Sequence, residues 1–218
     1  MSLARQRRKA ASGRTRSLVA LLHGYGADGN DLIGLAEPLA EILPDTTFLA
    51  PDAPSRCGIN PMGYQWFPIP WIDGSTQGEM ESGFAEAARA LDLWLGEAMA
   101  EEGVTETETV LVGFSQGTMM ALHVGPRRAR TLAGIVGFSG RLVADNSTAP
   151  LTRPPVLLIH GDRDEVIPVA ALEEARAGLA AQGFEVRAHV SKGAGHGIAP
   201  DGLQLAAEFL VARLYRDD

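Results

Sequence analysis

A single cysteine, Cys57, excludes an internal disulfide and suits a reducing compartment, so the expected location is cytoplasmic. No apolar run approaches the roughly 18 residues that span a bilayer, which argues against stable membrane insertion. Aromatic residues are scarce at 6%, whereas glycine (25) and proline (13) are plentiful. That composition suits many short elements joined by turns and speaks against a bundle of long helices. Acidic residues are missing from the first sixteen positions, which carry Arg5, Arg7, Arg8, Lys9, Arg14 and Arg16, although the whole chain stands at −8. The remainder holds all 27 acidic side chains, a balance that excludes a nucleic-acid-binding body. The basic arm also lacks the apolar centre of a secretory signal. Residues 1–16 are therefore expected to form a disordered or loosely attached tail ahead of one domain, 17–218. There is no H-E-x-x-H, and His160-x-Asp162-x-Asp164 by itself is a weak ligand set, so no metal is expected.

What is present is an alternation. Short apolar runs at 17–22, 46–50, 110–112, 131–138 and 156–159 read as strands buried on both faces, and 184–190 alternates as another. Between them lie helical patterns. One starts at Asn30 or Asp31 as its cap and runs to Leu43 with a kink at Pro38; others cover 81–102, 169–182 and 200–215. Strand and helix in regular turn predict an α/β fold, a mainly parallel sheet with helices on both faces and right-handed crossovers. Residues 51–80 break the rhythm. Five prolines and four glycines forbid a long element there, yet the stretch carries Met62, Tyr64, Trp66, Phe67, Trp71 and Ile72. It reads as a wall or lid over a pocket, against the alternative of a cluster packed under its own loop.

The chain is organised around Gly113-Phe114-Ser115-Gln116-Gly117, which joins a strand to a helix. A strand that turns at once into a helix forces one residue into a strained bend, and glycines at both flanks remove Cβ atoms that would collide. The Ser115 hydroxyl is then pushed above the sheet at a helix N-terminus, suited to attack on an acyl carbon. Such a nucleophile needs a base, and the base needs an orienting acid. In a parallel sheet these belong on loops at the carboxyl ends of strands. Of five histidines, His123 falls inside a helix, His189 inside a strand, and His23 and His160 precede glycines at strand ends. Only His196 follows both the serine and the acids on the last strand-end loop. Asp162 or Asp164 can orient it, and spacing does not choose between them. The oxyanion donors are expected at the N–H groups of Gln116 and Tyr25, and the acyl pocket at Met62, Trp66, Phe67 and Trp71.

His23-Gly24-Tyr25-Gly26-Ala27-Asp28, Trp66-Phe67, the serine pentapeptide, His160-Gly161-Asp162-x-Asp164-x-Val166-Ile167-Pro168 and Gly195-His196 stand in an order that resembles the phospholipase/carboxylesterase family of small α/β hydrolases. The resemblance implies an α/β-hydrolase fold and a triad of Ser115, Asp164 and His196, which selects Asp164 over Asp162. It also implies oxyanion donors at Tyr25 and Gln116, no cofactor, and a homodimer as an assembly the family allows. The expected activity is hydrolysis of short to medium acyl esters through an acyl-enzyme, with thioesterase or lysophospholipase activity on the same triad as the alternative. Three positions depart from the family pattern: Tyr25 where Leu is common, Gln65 where a basic residue is common, and Pro68 where Asp is usual. A rival lies in the same loop. Gly24-x-Gly26-x-x-Gly29, with Asp52 about 20 residues on, matches a dinucleotide fingerprint and would make an oxidoreductase. Against it, Asp28, Asn30 and Asp31 crowd the place where pyrophosphate would sit.

Overall fold

The computed structural model describes residues 3–143 and 149–215. Strands β1 (Arg5–Arg8), β2 (Ser17–Leu22), β3 (Thr46–Pro51), β6 (Thr109–Phe114), β7 (Gly134–Phe138), β8 (Val156–Gly161) and β9 (Val186–Ser191) form one sheet. Their order is β1-β3-β2-β6-β7-β8-β9, and a hairpin of β4 (Ser55–Arg56) and β5 (Tyr64–Gln65) stands apart from it. Every neighbouring pair in the large sheet is parallel except β1 with β3.

Side chains of β2 divide between the two faces because a strand points them alternately up and down. Leu18, Ala20 and Leu22 join one core with helices α4 (Gln77–Glu102), α5 (Gln116–Val124) and α6 (Ala170–Ala181). Val19 and Leu21 join the other with α1 (Gly29–Ile33), α2 (Ala36–Ile42) and α7 (Pro200–Leu214). The central strands are buried on both sides, which is why they read as unbroken apolar runs.

The basic arm is not a loose tail. Arg5–Arg8 lies antiparallel on β3, Gln6 opposite Ala50 and Arg8 opposite Phe48. It covers a sheet edge whose backbone groups would otherwise need other partners. Its charges have acidic partners on two helices: Arg5 with Glu101, Arg7 with Glu102 at 2.7 Å, and Arg8 with Glu37 at 2.9 Å. Glu101 and Glu102 end α4, where the helix dipole disfavours negative charge, so the arm's cations relieve that end.

Other boundaries differ from the sequence reading for local reasons. The single kinked helix is two helices, parted at Gly34 and Leu35. Pro38 causes the break four residues upstream, because its ring collides with the carbonyl of residue i−4. The cap of α1 is Asp28, whose carboxylate accepts the N–H groups of Asn30 and Asp31. Helix α4 begins four residues before the expected 81, at a capping box in which Thr76 and Glu79 satisfy each other's backbone N–H. Residues 131–133 stay outside β7; Ala133 N–H instead meets the carbonyls of Glu106 and Thr109. Of the expected loop between β7 and β8, residues 144–148 lie outside the described residues. No helix among the described residues is long and apolar enough to cross a membrane.

Candidate active site

Ser115 sits between β6 and α5 with φ 53° and ψ −114°, a conformation that costs a non-glycine residue energy. The flanking glycines make the bend feasible. A Cβ on Gly113 would lie 2.4 Å from the backbone of Gly117, and one on Gly117 would lie 1.9 Å from the Leu22 oxygen. The start of α5 thus dictates glycine before the serine, and the end of β2 dictates glycine after it.

The loops after β8 and β9 are drawn together by their own backbones. Arg163 N–H donates to Ala194 O at 2.9 Å, and a Cβ on Gly161 would meet that same oxygen at 2.3 Å. Asp162 has a structural task here: its Oδ1 accepts the Gly193 N–H at 2.6 Å, locking one loop to the other. That leaves Asp164 to face the histidine. His196 Nδ1 lies 2.7 Å from Asp164 Oδ2, and its Nε2 lies 3.1 Å from Ser115 Oγ. With the carboxylate ionised, Nδ1–H donates to Asp164 and Nε2 accepts the Ser115 O–H. Burial alone would raise the Asp164 carboxyl. The hydrogen bonds from His196 and from the Ile167 and Val166 N–H groups outweigh it and hold the group below its ordinary value. His160, absent from the expected site, is buried beside this carboxylate; its Nε2 is 2.8 Å from Ile167 O and 3.2 Å from Asp164 Oδ2.

The loop between β2 and α1 approaches the serine from the other side. A Cβ on Gly24 would stand 3.0 Å from the Phe114 ring, a contact tight enough that the ring would have to shift by a few tenths of an ångström. Buried His23 holds this loop through two bonds, Nδ1–H to Gly24 O at 2.7 Å and Ala53 N–H to Nε2 at 2.9 Å. Burial pushes its pKa below the ordinary histidine value, in keeping with the neutral form that this pattern requires. Among the described residues, neither Tyr25 N–H nor Gln116 N–H donates to a protein acceptor. The Gln116 side chain has a further task that the sequence did not reveal. Its Oε1 accepts Trp66 N–H at 3.0 Å and its Nε2 donates to Phe67 O at 2.7 Å, pinning the proline-rich segment over the elbow.

An open groove of about 1300 Å³ runs from Ser115 and His196. Phe67 and Trp71 line it, together with Ile72, Met80, Phe84 and Met119. Two expected pocket residues do not. Trp66 is buried behind the wall, its indole N–H on His23 O at 2.9 Å, and Met62 points outward with 83% of its surface exposed. From the sequence, Phe84 is one apolar position of the helical pattern from 81 and Met80 falls in the irregular stretch before it; neither says what the helix faces. His123 also borders the groove, edge-on to Phe84 at 4.6 Å between ring centres.

The dinucleotide reading fails on the same loop. Asp28 already occupies the first N–H groups of α1, Asp52 accepts Gly29 N–H at 2.8 Å, and a Cβ on Gly29 would strike Ala50 O at 2.3 Å. The third glycine serves chain packing, and carboxylates stand where a pyrophosphate would need donors.

A parallel sheet covered on both faces, a strained serine on a glycine-flanked elbow and a serine–histidine–aspartate chain at the strands' carboxyl ends define an α/β hydrolase. Comparison with known proteins narrows this. A sequence profile for phospholipases/carboxylesterases matches residues 7–214, and the chain belongs to that family. It is 27% identical to esterase YpfH of Escherichia coli K12 over 89% of this chain and 82% of the relative. It is 26% identical to acyl-protein thioesterase 1 of Saccharomyces cerevisiae over 91% and 93%. The crystal structure of esterase PE8 superposes with a TM-score of 0.92 at 44% identity, covering 98% of this chain and all of that one. The protein is a serine esterase of the phospholipase/carboxylesterase family.

Proposed function

We propose that Ser115 attacks the carbonyl of a short to medium acyl ester and that turnover passes through an acyl-enzyme. The observation that carries this is the chain from Ser115 Oγ to His196 Nε2 at 3.1 Å and from Nδ1 to Asp164 Oδ2 at 2.7 Å. His196 takes the serine proton as the bond to carbon forms, and Asp164 stabilises the resulting imidazolium. The N–H groups of Tyr25 and Gln116 receive the developing oxyanion. His196 then protonates the leaving alcohol, and water repeats the cycle to free the acid and regenerate Ser115. No step calls on a cofactor.

The acyl chain lies along Phe67 and Trp71, held by burial. Each methylene is then worth only roughly 1–3 kcal/mol, so the preference is broad. The same triad would cleave a thioester, and the likeness to acyl-protein thioesterases supports that second reading. Ser115→Ala tests the assignment: it should keep the fold, abolish p-nitrophenyl butyrate hydrolysis and lose labelling by a fluorophosphonate. Retained turnover would reject it. Matched ester and thioester series of rising acyl length distinguish the two substrate classes.

A further inference from the structure

Tyr25 offers its N–H to the oxyanion in the reading above, and its side chain is engaged elsewhere. The phenol O–H donates to Asp73 Oδ2 at 2.9 Å. Asp73 ends α3 (Pro70–Asp73), the one-turn helix that carries Trp71 and Ile72 onto the groove wall. This helix has no buried side chain of its own: Trp71 is 75% exposed and Ile72 41%. One turn without packing is not stable in isolation, so something else must hold it.

The Asp73 carboxylate is that hold. Oδ2 also accepts the N–H of Ile69 at 2.8 Å, and Oδ1 accepts the N–H of Ser75 at 3.0 Å, so the group ties both ends of the turn. Burial alone would raise its pKa, but its hydrogen bonds outweigh this and favour the ionised form. Burial, followed by contacts with Cys57 and Asp73, keeps the Tyr25 phenol protonated and able to donate. The loop's other bonds run to the β4–β5 hairpin (Gly26 N–H to Tyr64 O, Tyr64 N–H to Ala27 O, Asn60 Nδ2 to Gly26 O), from His23 to Ala53 and Trp66, and from Asp28 to the start of α1. They leave α3 untouched.

We propose that the Tyr25–Asp73 hydrogen bond is a positioning clamp that holds the groove-wall helix and the oxyanion loop in one register. The wall that seats the acyl chain and the N–H that meets the oxyanion then keep a fixed separation. Tyr25 thereby acts through its side chain on substrate position, in addition to its backbone role. The inference rests on the ester-hydrolysis reading of the site.

The test uses Tyr25→Phe, Asp73→Ala and the double variant, with kcat and KM measured on p-nitrophenyl acetate and p-nitrophenyl octanoate. Tyr25→Phe should lower kcat on the acetate about tenfold, as a small misplacement of a donor does. It should also raise KM on the octanoate more than on the acetate. Asp73→Ala should act in the same direction, and the double variant should be no worse than Asp73→Ala alone, because that substitution already removes the bond that Tyr25→Phe breaks. Unchanged kinetic constants in Tyr25→Phe, with or without a fall in melting temperature, would overturn the clamp. So would losses that multiply in the double variant. If Asp73→Ala does not fold, Tyr25→Phe alone decides, since it removes one oxygen and leaves the Ile69 and Ser75 bonds in place. Ser115→Ala separates the two levels: an active Ser115→Ala brings down the site reading, whereas an inactive one beside a wild-type-like Tyr25→Phe brings down the clamp alone.

Discussion

Asp164→Asn would change one heavy atom and should disable the enzyme through the tautomer of a neighbouring ring. Asp164 is buried, and its two oxygens do different work. Oδ1 accepts the N–H groups of Val166 and Ile167, at 2.9 and 2.8 Å, so an asparagine must keep its oxygen there. The new NH₂ then faces His196 Nδ1, where Oδ2 stood 2.7 Å away. To accept that donor, His196 must move its proton to Nε2, which can no longer take the Ser115 proton. Loss of the correct tautomer in a triad costs roughly 10⁴ in kcat, or about 5 kcal/mol of transition-state stabilisation. The same NH₂ lies against His160 Nε2, which is 3.2 Å from Oδ2 and 2.8 Å from the Ile167 carbonyl. That second mismatch should lower stability by about 1–3 kcal/mol without unfolding the protein. The assay is steady-state hydrolysis of p-nitrophenyl butyrate, with circular dichroism and a melting curve as controls. A folded Asp164→Asn variant that lost less than about tenfold would refute the tautomer argument.

Two further outcomes follow from other contacts. Gly117→Ala places a Cβ 1.9 Å from the backbone oxygen of Leu22, which cannot move without breaking the sheet, so expression should give no active enzyme; active-site titration of the soluble fraction checks this. Buried His23 has its pKa below 6.5 in the folded protein, so its contribution to stability is complete above pH 6.5 and declines as pH falls from there towards the folded-state value. The melting temperature should drop over that range by an amount equivalent to at most roughly 1.4 kcal/mol per pH unit, and His23→Gln should flatten the slope.

Much of the elbow was legible because the residues that carry it are contiguous. Gly113 answers to the start of α5 a few residues on and Gly117 to the Leu22 oxygen on β2, but both constraints are recorded in one pentapeptide. The two-faced strands were legible for the same reason: apolar runs such as 17–22 and 156–159 fit burial on both sides. Pro38 was read as a kink, but its clash acts at residue i−4 and divides the helix at Gly34 and Leu35. The Thr76–Glu79 capping box starts α4 ahead of the apolar periodicity, so that periodicity alone places the helix start too late.

Residue types and their order along the chain determined the α/β alternation, the nucleophile elbow and the set of strand-end loops able to serve it, because each is recorded in residues that lie close together in the chain. Tertiary structure decided the rest. It set Asp162 to join two loops and Asp164 to face the histidine, laid the basic arm on β3 against acidic helix ends, turned Met62 outward and Trp66 inward, and brought Tyr25 to Asp73. These contacts join residues far apart in the chain. Their partners are chosen by how whole elements pack, and that choice leaves no mark in the spacing of either residue alone.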